Sequence, residues 1–188
     1  MRVYLPATLA MLMELNETGE FRPIGGTAFA LTPALRESFL AGDDEELAEV
    51  AMREAARASL RLLAGEAPEA GDRAAAADLA ADAEVTKPGD TPRLPPRRVV
   101  VAADVDEVTL RPDLDDAVVK VSSPVTRAAI ASVHVDIAEA EDKVRAAVVV
   151  VDAADMGDLD AELAIGDIED FDLAWYATQE LPFLLELL

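Results

Sequence analysis

Five short apolar, largely β-branched runs constrain this chain more than anything else in it. They are Arg2–Leu5, Thr27–Leu31, Arg98–Ala102, Ala117–Val121 and Ser132–Ile137. Each is bounded by proline, glycine or acidic residues, the signature of a strand. Such strands cannot bury their faces alone, so they must share a sheet covered by helices. The stretch 65–96, rich in alanine, acids and proline, separates two of them from the other three. The expectation is therefore a single α+β domain with a mixed or antiparallel sheet, helices packed on it and a helical C-terminus. A first half spans 1–64, a flexible insert 65–96, a second half 97–137, and an acidic helical segment 138–188.

Helix signals fill the gaps. Thr8 caps a helix that stops near Gly19. Thr32-Pro33 and Ser123-Pro124 each place a hydroxyl cap before a proline, which suits the first helical position. The second start predicts a helix through Ile130. Asp43–Ala64 carries an apolar stripe of Leu47, Ala51, Ala55, Ala58 and Leu62. Arg53, Arg57 and Arg61 fall on another, solvated face, with Glu49 paired to Arg53. Asp104–Leu110 reads as a short helix or turn. Each half then reads strand, helix, strand, capped helix, a weak repeat of two βαβ-like units. Val144, Ala147, Val148 and Val151 have helical spacing, and Phe171–Pro182 reads as a short helix ended before the proline.

The chain has 38 acids, 16 bases and no cysteine, a formal charge of −22. Phosphate backbones need clustered cations, so nucleic acid is excluded as a direct ligand. No apolar run is long enough for a membrane span and no secretory signal is visible. Lack of cysteine excludes thiol nucleophiles, disulfides and zinc–thiolate sites. A cytoplasmic location is expected, and no cofactor. Residues 136–188 hold 15 acids and two bases, or −13 of the total.

Candidate chemistry is sparse. The carboxylates from Asp152 to Asp172, among them Asp152, Asp155 and Asp158, are hard-cation ligands by type. Their spacing matches no EF-hand, and a solvated acidic face is the favoured reading. His134, the only histidine, is expected on the polar side of its strand with Asp136, opposite Val133, Val135 and Ile137. Trp175, Tyr176 and Gln179, with Phe183 in the apolar tail Leu181–Leu188, form the densest aromatic feature. They suit core packing or a partner interface.

Asp104-Val105-Asp106, after an apolar strand, resembles the first motif of haloacid-dehalogenase-type phosphatases. The resemblance implies Asp104 as nucleophile, Asp106 as general acid/base and Mg²⁺ beside them, although Glu107 stands where that family has a small residue. A broader resemblance rests on Met1–Leu9, Ala55–Leu63, Arg98–Val105, Ser132–Asp136 and Trp175–Glu180. These segments resemble a family of uncharacterised actinobacterial proteins. That resemblance implies a GC-rich bacterial source, and neither an activity nor functional residues. The reading is a non-enzymatic interaction or regulatory protein that docks a protein partner, or a second copy, through its acidic, aromatic C-terminal region. The alternative is a Mg-dependent hydrolase using Asp104, Asp106 and His134.

Overall fold

The computed structural model describes residues 1–66 and 94–188. The expected insert thus lies almost wholly outside the described residues. The core is a seven-stranded sheet built from β1 (Arg2–Ala7), β3 (Thr27–Phe29), β4 (Val99–Asp104), β5 (Thr109–Leu110), β6 (Val118–Lys120), β8 (Ile130–Val135) and β9 (Ala174–Ala177). Its order is β5-β6-β3-β1-β4-β8-β9, and every neighbouring pair is antiparallel. The α+β expectation holds, with strands from both sides of the 65–96 stretch interleaved.

Strand β4 is buried on both faces, which is why Val99–Ala103 reads as an unbroken apolar run. Strand β1 continues through Pro6, beyond the expected end at Leu5. The ladder explains this. Val105 N donates to Met1 O at 3.0 Å, so Val3, Leu5 and Ala7 direct their main-chain groups toward β4. Pro6 then faces β3, which pairs with β1 only at Tyr4↔Phe29, so its missing N–H costs no ladder bond.

One face of the sheet buries Val3, Leu5, Val101 and Val133 beneath α1 (Leu9–Thr18) and α6 (Leu181–Glu186). Thr8 caps α1 as expected, accepting from Met11 N, and Gly19 ends it at φ 74°. The other face meets α2 (Pro33–Ser38) and α3 (Asp44–Glu66). Thr32 caps α2 with Pro33 in its first turn. A hairpin of α4 (Glu141–Asp155) and α5 (Leu159–Glu169) packs on the far end of α3 through Leu60, Val144, Val151 and Ile165.

The stripe on α3 is rotated from its expected position. Leu47, Ala51 and Ala55 are buried as read, but Ala56, Ser59 and Leu60 replace Ala58 and Leu62. Ser59 explains the turn. Its hydroxyl accepts from Val99 N at 3.0 Å and donates to Ala7 O at 2.7 Å, bridging the last rung of the β1–β4 ladder. Arg53 pairs with Glu49 as expected. Arg57 and Arg61 do not face solvent alone. They bind Asp155 and Glu162 and tie α3 to the hairpin.

Two local expectations fail and a third is narrowed. Of the helix or turn expected over Asp104–Leu110, it is a turn that joins the end of β4 to β5. Residues 124–130 form no α-helix. Val125–Thr126 is β7, paired with β2 (Glu20–Phe21), so Val125 and Phe21 are buried together. A single 3₁₀ turn follows and leads into β8. The repeat is therefore unequal, because among the described residues no α-helix lies between Val99 and Ala140. Finally, Phe171–Pro182 is not a helix ended by proline. It contains β9 and a 3₁₀ turn, and Pro182 sits in the first turn of α6, where its lost N–H matters least.

Candidate functional site

Strand β9 ends the sheet. Asp136 N donates to Arg98 O at 3.1 Å, so Asp136 and, by alternation, His134 turn their main-chain groups toward β4. Val133 and Val135 then face β9, where they oppose Tyr176 and Ala174. Trp175 and Ala177 must point their main-chain groups away from β8. The Ala177 amide confirms it, donating at 2.8 Å to the Glu180 carboxylate instead of to a strand. Among the described residues, the main-chain donor and acceptor of this edge that find no partner belong to Trp175.

The side chains alternate across the same strand. Tyr176 packs into the core under α1 and α6. Trp175 stands on the opposite face beside His134, and 60% of it is exposed. Gln179 is exposed in the following turn. The tail is largely its own core, with Leu181 and Leu184 buried, while Phe183 on α6 is exposed. Trp175 and Phe183 thus lie on opposite sides of the sheet, and the four residues do not make one patch.

Beneath the entry to β9 lies the most buried ion pair. Arg98 and Asp136 have side-chain exposures of 3% and 0%. Asp136 accepts from Arg98 N, Nε and Nη2 at 2.8–2.9 Å, and Arg98 Nη2 also donates to Phe171 O at 2.8 Å. Asp136 alternates onto the same side of the sheet as His134, but it does not pair with the imidazole. Its charge is used by Arg98, and Ile137 lies exposed beyond the strand. No sequence pattern announced this pair, because Arg98 reads as the flank of a strand.

His134 is hydrogen bonded instead to Ser132, with Oγ and Nε2 3.0 Å apart. Burial, then the Arg2 charge, holds its pKa below the ordinary histidine value. Asp104 makes a two-pronged pair with Arg2 at 2.8 and 2.9 Å, which holds its carboxyl below the usual range. His134 is in register with Val100, four residues along β4 from Asp104, a distance of about 13 Å at strand rise. Asp106 lies in an exposed bend. The hydrolase trio is not brought together.

The acidic stretch is dispersed as well. Asp155 is held below its ordinary pKa chiefly by its hydrogen bond to Arg61, and Glu162 by Arg57. Asp158 caps α5, accepting from Ala161 N at 2.9 Å. Asp167 pairs with Lys143, and Asp152 is exposed. Among the described residues, no group of three His, Cys, Asp or Glu side chains could hold a metal ion. Glu169, Asp170 and Asp172, just before β9, are exposed, and among the described residues none of them forms an ion pair.

The profile of a family of unknown function (DUF6912) matches residues 1–185. The chain belongs to that family. No curated protein and no solved structure matches it. Membership of DUF6912 accounts for the whole-length resemblance and assigns no role to any residue. Among the described residues, no helix is long and apolar enough to cross a membrane.

Proposed function

We propose that this DUF6912 chain is a non-catalytic, cytoplasmic protein-interaction module. Its contact surface is the β9 edge with the acidic segment that leads into it. One observation carries the reading: Trp175 is largely exposed on an edge strand whose outward main-chain groups have no partner among the described residues. Large aromatic side chains dominate interface energetics when a partner covers them. Single exposed apolar residues are ordinary, so the open edge beside Trp175 is what sets it apart.

The hydrolase alternative has less support, since Arg2 occupies Asp104 and His134 stands about 13 Å along the sheet. Melting curves with Mg²⁺, Mn²⁺ and Ca²⁺ keep it testable. A bound cation at about 100 times its Kd adds about 2.7 kcal/mol, and a shift of that size would favour the enzyme.

Site-specific photocrosslinking in cells tests the interaction reading. A benzophenone side chain replaces Trp175 in one variant and Leu110, on the other edge, in a second. Discrete adducts to a single partner from position 175, and none from 110, are expected. Indistinguishable patterns at the two positions would sink the proposal.

A further inference from the structure

We infer that the β9 edge takes up an extended, lysine- or arginine-rich segment of a partner protein as an eighth strand of the sheet. This rests on the reading of β9 as a contact surface and names the partner's chemistry. Three observations bear on it.

The first is the main chain. Trp175 offers an N–H and a C=O directed away from β8, and strand alternation gives Leu173 the same direction. An incoming strand gains affinity by bonding to such groups. Natural edges are protected by lysine, proline, a bulge or extreme shortness. Ala174–Ala177 has no lysine or proline, and its pairing with β8 runs without a bulge. Among the described residues only Ala177 is covered, by the Glu180 carboxylate.

The second is charge. Glu169, Asp170 and Asp172 flank one end of β9 and Glu180 the other, all exposed. A segment lying along β9 meets carboxylates at both ends. A second copy of this chain is a poor occupant, because it would bring the same carboxylates, and −22 more of net charge, to the contact.

The third is shape. Beside the entry to β9 a cleft opens between α3 and the loop after α5. Met52, Ala56, Phe171 and Leu173 give it apolar walls; Arg53 and Arg98 also line it but are paired with Glu49 and Asp136, which leaves the carboxylates of Glu169 and Asp172 without an ion pair among the described residues. Apolar walls with an acidic mouth match a long aliphatic stem that ends in a cation. Trp175, exposed on the same side, supplies a ring face for a second cation.

The full chain can be titrated with a synthetic nonapeptide of alternating lysine and valine. Trp175 is the only tryptophan, so its emission reports the edge directly. We expect a blue shift, slowed exchange of the Trp175 amide, and weakening with salt. A control peptide of the same sequence with every main-chain amide N-methylated keeps the charge but has no N–H to donate to a ladder. It should bind about tenfold or more weakly and leave the amide unprotected. The E169K/D172K variant should lose about tenfold in affinity for the lysine–valine peptide. Equal binding of the two peptides would overturn strand addition and leave the acidic contact surface standing. No binding by either, with discrete crosslinks at position 175 retained, would overturn the basic partner class. A dimer in sedimentation that W175A dissolves would show the occupant to be a second copy. Crosslinks at 175 no different from those at 110 would instead defeat the underlying reading.

Discussion

At one end of the sheet β5 offers two residues, Thr109 and Leu110. Arg111 then turns to Asp113 at 2.7 Å, and Pro112 removes the next donor. At the other end β9 offers four uncharged residues, with Trp175 exposed and, among the described residues, only Ala177 covered. Both are edges of one sheet in one acidic chain. The first is short and ends in an ion pair and a proline, common ways of keeping strands from pairing further. The second lacks them and is held instead from below, by the buried pair of Arg98 and Asp136 that grips Phe171. A supported edge with unpaired main-chain groups is what the proposed strand addition requires.

The comparison breaks most sharply at Asp136. Removing one partner of a buried ion pair leaves an uncompensated charge, at a cost of about 3–5 kcal/mol. Asp136→Ala should therefore lower stability by that order in denaturant melts. Amide exchange should quicken first around Phe171 and β9, with β5 and β6 little affected. A uniform loss of protection across both ends of the sheet would mean that the pair is not a local support of β9.

At the β5 end the corresponding anchor is Thr32. Its hydroxyl caps α2 by accepting from Leu35 N at 3.0 Å and donates to Asp116 O. Thr32→Ala should cost about 1 kcal/mol, typical of a lost cap, with the exchange change confined to α2 and the 112–118 turn. A smaller effect is expected at His134, under Trp175. Its folded pKa lies below the ordinary 6.5, so the folded state resists its protonation. That contribution is complete above about pH 6.5 and is lost as pH falls toward the folded value. Melting temperature should thus decline on acidification, and His134→Gln should flatten that decline. An unchanged slope in the variant would show that His134 is not its source.

Much of this frame was legible in the sequence. The runs at 2–5, 98–102, 117–121 and 132–137 gave strands because they are buried on one or both faces, which forces apolar residues at successive or alternate positions. Thr8 and Thr32 gave helix starts because a cap is a local contact. The failures share a cause. Ser123-Pro124 carries the same local signal as Thr32-Pro33, but Val125 has a distant partner in Phe21, and pairing with β2 outweighs a cap on a short helix. Tyr176 likewise finds the core through β8, so a segment with helical promise becomes β9. Trp175 stood out as an aromatic in an aromatic-poor chain. Its exposure was not legible, because that depends on which side of an edge strand it falls. The Arg98–Asp136 pair was hidden for the same reason. The two residues are 38 apart in sequence, and each alone reads as the charged end of a strand.

The smallest stability difference separates the two edges most cleanly. Trp175 and Leu110 are 60% and 43% exposed, so replacing either with alanine removes a comparable, partial burial. W175A and L110A should therefore differ from each other in stability by no more than about 0.5 kcal/mol. If exposure were all that mattered, the variants would behave alike in every assay. An open edge makes a further demand. In W175A the Trp175 N–H and C=O persist as those of alanine, so strand addition loses the ring but keeps its ladder, and the lysine–valine peptide should bind more weakly without being abolished. Amide exchange in W175A, measured with that peptide, resolves the two contributions. Protection at position 175 should survive in W175A at higher peptide concentration, and L110A should behave as the parent does. Protection lost altogether in W175A would place the contact on the indole alone, and the contrast between the edges would then be one of side chains, not of the main chain.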